Sequence, residues 1–88
     1  MPWTIEYTKT AATQLRKLDR QAARRILDYL DDKIAPLENP RTRGKALSGP
    51  LGELWRYRVG DYRVLCEIQD NLMRILVIAA DHRRQVYK

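Results

Sequence analysis

Three arginines in the C-terminal half of the chain have the type and spacing needed to bind a phosphate backbone. Arg56 and Arg58 alternate with apolar residues in one predicted strand, and Arg63 follows at the start of the next strand. Alternate residues project from the same face of a strand, so the three guanidinium groups converge on one shallow patch. Arginine suits such a patch because its planar fork contacts phosphate oxygens in pairs. In the alternative interpretation they are scattered surface arginines, or partners of Glu53 and Glu67.

A second group of reactive side chains follows the last apolar run. His82 carries an imidazole, the side chain that most readily gains or loses a proton near neutral pH. Arg83 adds a cation and Tyr87 a phenol. Because this tail leaves a predicted central strand, we expect it to emerge beside the arginine patch. Alternatively, His82 is an ordinary strand-end histidine and Tyr87 packs its ring across the sheet.

The distribution of charge indicates a polyanionic partner. The chain has 17 Lys and Arg against 11 Asp and Glu, for a formal net charge of +6. Residues 1–40 carry seven basic and six acidic residues, whereas residues 41–88 carry ten basic and five acidic ones. A surface charged only for solubility would mix the two signs. A one-sided excess is typical of proteins that bind nucleic acid or an acidic protein segment.

Length and composition limit the chemistry that the chain supports. Its 88 residues predict a single domain, 1–88, with one thin core and a shallow surface site. A single cysteine, Cys66, excludes an internal disulfide, and no Cys/His cluster has metal-ligand spacing, so we expect no metal and no cofactor. The N-terminus lacks a signal-peptide pattern, and the longest apolar run, Ile75 to Ala80, is too short to span a bilayer. We therefore expect a cytoplasmic protein without membrane contact.

The N-terminal half predicts one strand and two helices. Trp3–Tyr7 alternates apolar and polar residues, as a half-buried strand does. Thr8 and Asp19 are predicted N-caps, the first helix running to about Leu18 and the second ending before Pro36. The second helix presents one apolar stripe, formed by Ala23, Ile26, Leu27, Leu30 and Ile34. With almost no loop between them, the two helices should form an antiparallel hairpin.

Three strands follow a turn-rich basic segment, Arg41–Gly52. They are Glu53–Val59, Tyr62–Gln69 and Leu72–Ala80, joined by tight turns at Gly60-Asp61 and Asp70-Asn71. Alternation places Trp55, Tyr57 and Val59 on the side of the helices and the arginines on the opposite side, where we expect them to be exposed to solvent. Apart from Arg74, the last strand is apolar on both faces, as a central strand is. The order predicts an α+β fold, β-α-α-β-β-β, with an antiparallel-dominated sheet and the helical hairpin packed on one face.

Two segments resemble the signature of the RelE branch of the RelE/ParE toxin superfamily. They are residues 51–65, LGELWRYRVGDYRVL, and residues 81–87, DHRRQVY. The strand–helix–helix opening agrees with the same family. The resemblance implies a RelE-like fold and a toxin of a type II toxin–antitoxin system that cleaves mRNA in the ribosomal A site. The partners it implies are the ribosome, mRNA and a cognate RelB-like antitoxin that wraps the toxin and masks its site.

The resemblance places Arg56, Arg58, Arg63, Arg83 and Tyr87 at positions where family members bind and cleave mRNA. Side-chain chemistry adds further residues to the expected site and divides the roles among them. Those expected to bind RNA are Arg56, Arg58, Arg43 and Lys45. Those expected to act in catalysis are Arg63 and Arg83, which stabilise charge, Tyr87, which transfers a proton or stacks on a base, and His82, an alternative acid or base. RNA supplies its own nucleophile, the 2′-hydroxyl, so the protein must position that group, accept its proton and help the 5′-oxygen to leave.

The general base is the point at which the chain departs from the family pattern. Some members carry lysines at the positions of Arg56 and Arg58, and there a lysine is a candidate base. An arginine does not give up its proton in a protein, so the base must be another group. Two other functions stay open at this stage. One is a ParE-like inhibitor of DNA gyrase on the same scaffold, and the other is an RNA-binding module without catalysis.

Overall fold

The computed structural model describes residues 2–47 and 53–82, which form an α+β fold on a mixed sheet. The strands are β1 Thr4–Tyr7, β2 Lys45–Ala46, β3 Trp55–Val59, β4 Tyr62–Gln69 and β5 Arg74–His82. Their order across the sheet is β1-β5-β4-β3-β2. β1 pairs parallel with β5, and all other neighbours are antiparallel. The predicted fold class is confirmed, with the short edge strand β2 as an addition.

Two helices cover one face of this sheet. They are α1 Lys9–Lys17 and α2 Arg20–Tyr29. Both predicted caps are confirmed: Thr8 Oγ1 accepts from the Ala11 amide at 3.1 Å, and Asp19 Oδ1 accepts from the Ala22 amide at 2.9 Å. α2 continues into a π-helical turn, Leu30–Ile34. Within the two described ranges, no helix is both long enough and apolar enough to cross a bilayer.

The core fills the space between the helices and the sheet. The larger core side chains with no exposed surface are Ile26, Leu30 and Ile34 from the helical layer and Tyr57, Val64, Cys66, Ile75 and Val77 from the sheet. The predicted stripe of the second helix therefore packs as expected, except that Ala22, not Ala23, is the buried alanine of its first turn. Burial raises the pKa of the Cys66 thiol, which stays protonated and acts as a small apolar core residue.

Tyr57, more than Trp55, is the central aromatic side chain of the core. Tyr57 is 0% exposed, and its hydroxyl donates to the Pro40 carbonyl oxygen at 2.8 Å. Trp55 packs against the core but is only partly buried, and its indole Nε1 donates to the Arg43 carbonyl oxygen at 2.7 Å. Trp55 therefore contributes less to the core than alternation alone predicts, because it lies at the start of β3 beside the sheet edge.

The turn before β5 is longer than the sequence predicts. A 3₁₀ turn, Asp70–Leu72, leads to Met73 in the left-handed conformation, with φ at 49°. The last strand therefore starts at Arg74, not at Leu72, and extends to His82. Arg41 holds this turn in place through a bidentate ion pair with the Asp70 carboxylate, both contacts being 2.9 Å.

β5 contains an extra residue that changes which face its last side chains occupy. Cys66 pairs with Val77 and Leu65 pairs with Ala79, so Ile78 has no partner position on β4. Such a β-bulge shifts the alternation of side chains by one residue. All residues of β5 after Ile78 therefore occupy the face opposite to the one predicted by strict alternation.

Gly44 occupies a position at which only glycine fits without strain. Its φ is +79°, and an added Cβ would overlap the Arg56 carbonyl oxygen and lie 2.7 Å from Trp55 Nε1. We expect Gly44→Ala to lower the free energy of unfolding by about 2–4 kcal/mol, measured by urea denaturation, because backbone strain and a clash add together. Gly60→Ala is the matched control: φ is also positive, +60°, but the new Cβ would meet only the mobile end of Arg25, at 3.0 Å. Equal losses in both variants would contradict the clash at Gly44.

Candidate nucleic-acid interface

The sheet face opposite the helices carries four cationic side chains on three adjacent strands. Lys45 on β2 lies opposite Arg56 on β3, and Arg58 on β3 lies opposite Arg63 on β4. These four residues are referred to below as the basic face. Cβ atoms of directly opposed residues lie about 4.5–5.5 Å apart, a distance at which like charges repel. The structure therefore brings together the arginines singled out in the sequence and keeps their charges concentrated.

Arg63 lies on the expected face, but the expectation that it is exposed to solvent is wrong. Its side chain is only 7% exposed. Its Nη1 donates to the carbonyl oxygens of Tyr62 at 3.2 Å and Gly60 at 3.4 Å, which anchors it to the turn between β3 and β4. Arg58, its partner across the strands, is exposed. The charge of Arg58 is thus exposed to solvent, whereas the charge of Arg63 is buried next to it.

The bulge at Ile78 separates two neighbours that the sequence places together. Asp81 lies opposite Arg63 on the basic face, and its carboxylate accepts from the His82 amide at 2.7 Å. His82 lies opposite Tyr62, and the two rings meet edge-on with centroids 5.8 Å apart. Because Tyr62 packs against the core, His82 lies on the helix side of the sheet. The expectation that His82 emerges beside the arginine patch is therefore wrong, because the extra residue in β5 turns the His82 side chain to the helix side.

The other predicted site residues fall into two groups. Arg83 and Tyr87 lie outside the described residues, so their assigned roles stay predictions. Arg43 is exposed and lies just before Gly44, close to the basic face but not opposite any of its residues. In the part of the chain that the structure describes, His, Cys, Asp and Glu side chains do not form a group of three or more that could hold a metal ion.

A small pocket opens at the outer edge of β3. Its volume is about 240 Å³, and its lining residues are Tyr29, Gly44, Lys45, Arg56 and Arg58. β2 pairs with β3 only at Arg56 and Trp55, so the pocket lies where β2 leaves the edge of β3 uncovered. Among the described residues, the lining of this β3-edge pocket has three cations and no carboxylate. It extends the basic face around the edge of the sheet.

Sequence reasoning missed Tyr29 and Gly44 as residues of this interface. Tyr29 is the last residue of α2, and it reaches the pocket through packing against Tyr57, with ring centroids 6.4 Å apart. No local pattern links a helix end to a distant strand. Gly44 carried a weak signal, because a glycine within a basic segment marks a place where the backbone approaches another element closely.

Taken together, the geometry suits a polyanion with repeated phosphates. Cations line a shallow, open surface, and one aromatic ring stands at its border. Phosphate groups are recognised in this way by arginine and lysine, and bases by exposed aromatic rings. Within the described residues, three carboxylates share this face: Asp81 lies in the row of Arg58 and Arg63, whereas Glu67 on β4 and Glu6 on β1 lie in a row farther along the sheet.

Comparison with known proteins gives a consistent result across the whole chain. A family model described as the ParE toxin of the type II toxin–antitoxin system parDE matches residues 5–87. The chain is 28% identical over 88 residues to Toxin RelG of Mycobacterium tuberculosis, a match that covers 100% of this chain and 99% of that protein. It is 32% identical over 87 residues to Toxin RelE of the same organism, covering 99% and 88%.

Solved structures agree with these sequence matches. The toxin–antitoxin complex RelBE2 of Mycobacterium tuberculosis contains a chain that superposes with a TM-score of 0.84 and 28% identity, covering 94% of this chain and 93% of that one. The intact RelBE complex of E. coli contains a chain that superposes with a TM-score of 0.73 and 15% identity, covering 91% and 95%. The second match is a likeness of fold alone.

Proposed function

Because the chain belongs to the ParE toxin family of type II toxin–antitoxin systems, within the RelE/ParE superfamily, we propose that it is an endoribonuclease toxin of the RelE type. Its substrate in this proposal is messenger RNA positioned in the ribosomal A site, and cleavage there stops translation. The place of action is then the cytoplasm. The resemblance of residues 51–65 and 81–87 to the RelE branch supports this assignment.

The observation that carries the proposal is the basic face. Lys45, Arg56, Arg58 and Arg63 stand in register on three strands, on the face that the helices leave open. Like charges on opposed strand positions are destabilising, so an arrangement with only a structural role would avoid them. An RNA backbone compensates this repulsion and makes binding dependent on salt.

In the proposed reaction the RNA 2′-oxygen attacks the adjacent phosphorus, the new P–O2′ bond forms and the P–O5′ bond breaks. A proton leaves the 2′-hydroxyl and another reaches the 5′-oxygen. Arg58 and Arg56 hold the phosphate groups, and Arg63 stabilises the additional negative charge of the transition state. Arg63 is suited to this task because its hydrogen bonds to Gly60 and Tyr62 fix its guanidinium group before substrate arrives.

Proton transfer is assigned to Tyr87 and not to His82. The His82 ring lies against Tyr62 on the helix side of the sheet, away from the arginines that bind the phosphate. Tyr87 keeps the role expected from its phenol group, and Arg83 is proposed to add a further positive charge that stabilises the transition state. Both residues lie outside the described part of the chain, so mutagenesis must test them.

A RelB-like antitoxin is the proposed protein partner, as the chains of similar fold occur in complexes with RelB. Its carboxylates would neutralise the basic face. An apolar stripe of the same partner would pack in the groove of about 400 Å³ between α1 and α2, whose lining residues are Leu15, Arg16, Arg20, Ala23, Arg24 and Leu27. An antitoxin segment that is disordered alone and folds on binding can reach both the basic face and this groove.

Induced expression without the antitoxin, followed by mapping of transcript ends, tests the proposed function. We expect growth arrest and new 5′ ends within translated codons, with no new ends when translation initiation is blocked. Coexpression with the antitoxin should restore growth. Normal growth at a verified protein level, or cleavage that is independent of ribosomes, would contradict the proposal.

A second candidate function is inhibition of DNA gyrase, because the matching family model is described as the ParE toxin. The same induction experiment separates the two functions. A gyrase inhibitor would produce trapped DNA breaks and intact transcripts. A ribonuclease would produce cut transcripts and intact DNA.

A further inference from the structure

We propose that the β3-edge pocket binds one nucleotide of the RNA strand next to the cleaved bond, with its phosphate on Lys45 and Arg58 and its base against the ring of Tyr29. This inference rests on the proposed function, since it names how the RNA strand continues beyond the basic face. It adds a residue of the helical layer, Tyr29, to a binding surface otherwise built from the sheet.

The charges around Tyr29 give the pocket a definite polarity. On one side, the described lining of the β3-edge pocket has three cations, Lys45, Arg56 and Arg58, and no carboxylate. On the other side, Tyr29 borders a separate pocket that contains carboxylates and is lined also by Arg25, Asp28, Asp32 and Lys33. A phosphate group is therefore attracted more strongly to the side of β3 than to the side of α2, where two carboxylates offset two cations.

The ring of Tyr29 is held in place before any ligand arrives. It is half-buried, and its contact with the Tyr57 ring, 6.4 Å between centroids at an interplanar angle of 59°, restricts its movement. Tyr57 is fixed in turn by its hydrogen bond to the Pro40 carbonyl oxygen. A fixed aromatic ring beside a cationic groove is the usual platform on which a base of single-stranded nucleic acid stacks.

The size and place of the pocket select one nucleotide. Its volume of about 240 Å³ is below the roughly 300–1,000 Å³ of typical small-molecule pockets. Arg58 belongs both to the pocket and to the row that contains Arg63. The β-strands β3 and β4 lie about 4.8 Å apart. A phosphate group at Arg63 and a phosphate group in the pocket therefore belong to neighbouring nucleotides of one RNA chain.

Binding is tested by NMR with a short single-stranded oligoribonucleotide that is 2′-O-methylated throughout and therefore cannot be cleaved. We expect the amide resonances of Gly44 and Lys45 and the indole resonance of Trp55 to shift on titration. Tyr29→Leu should raise the Kd for the oligonucleotide about tenfold, whereas Tyr29→Phe, which keeps the ring, should bind as the wild type does. Tyr7→Leu is the matched control, since it removes another half-buried tyrosine from β1, at the opposite edge of the sheet.

The inference would be overturned by no shift at the pocket, by wild-type affinity of Tyr29→Leu, or by equal binding of inorganic phosphate and the oligonucleotide. The last of these would indicate a phosphate site without a base. Loss of affinity in Tyr7→Leu equal to that in Tyr29→Leu would also overturn it, because it would show a general effect on folding.

Failure of the proposed function is distinguishable from failure of this inference: the pocket would bind the oligonucleotide as expected while mRNA on the ribosome stays intact. Conversely, Tyr29→Leu could cleave mRNA with an unchanged KM and an unchanged preference for flanking bases. That result would contradict the nucleotide pocket and leave the proposed ribonuclease function intact.

Discussion

Arg63→Ala is expected to reduce ribosome-dependent mRNA cleavage by about 10²–10³-fold and to lower the free energy of unfolding by about 1.5–3 kcal/mol. The loss of activity follows from removal of a fixed charge at the transition state. The loss of stability follows from burial, because Arg63 is 7% exposed and its guanidinium donates to the Gly60 and Tyr62 carbonyl oxygens. Cleavage is measured by primer extension at a temperature at which circular dichroism shows the variant fully folded.

Two further variants separate these effects. Arg58→Ala removes the exposed charge opposite Arg63, so it should weaken cleavage while changing stability by less than about 0.5 kcal/mol. Arg24→Ala removes a charge from the exposed surface of α2, where Arg24 pairs with Asp28 at 3.2 Å, and should leave cleavage unchanged. Cleavage by Arg63→Ala at the wild-type rate would contradict a role of Arg63 in catalysis. Wild-type stability would show that its hydrogen bonds do not hold the turn.

Tyr57→Ala is expected to lower the free energy of unfolding by about 3–5 kcal/mol, the largest effect on stability of the changes considered. The ring is 0% exposed and contacts both the core and Tyr29, so its removal leaves a cavity that neighbours cannot fill. Tyr57→Phe keeps the ring but leaves the Pro40 carbonyl oxygen without its donor, which should cost about 1–3 kcal/mol. Urea denaturation of the three proteins gives both values.

Trp55→Ala is the comparison for this prediction. Alternation in the sequence predicts a cost of about 3–5 kcal/mol for a core tryptophan. Because Trp55 is only partly buried, we expect its replacement to cost less than that of Tyr57. The reverse order of stabilities would show that the centre of the core lies at the start of β3.

Much of the fold follows from patterns that are local in the chain. Thr8 and Asp19 cap their helices because a short oxygen-bearing side chain precedes each helical run. Arg56 and Arg58 alternate with Tyr57 and Val59, so the helix side and the open side of β3 are both readable from the sequence. These features depend on nearest neighbours, and neighbours are what a sequence shows directly.

The lengths of the turns and the edge strand of the sheet were harder to predict from the sequence. The sequence predicts a turn at Asp70-Asn71, but the chain adds a 3₁₀ turn and the left-handed Met73 before β5 begins. β2 is only two residues long and lies in a segment rich in turn-forming residues. Strands this short carry no periodicity, so only pairing with β3 identifies them.

The alternation of polar and apolar residues placed the basic face on the open side of the sheet, because side chains of a strand alternate whatever the rest of the fold does. Tertiary structure alone decided which other residues lie next to the basic face. The extra residue Ile78 turns Asp81 towards Arg63 and His82 towards Tyr62. A bulge exists only between two paired strands, and a pocket wall such as Tyr29 exists only where a helix packs on a sheet. Both depend on contacts between residues far apart in the chain, which no local pattern records.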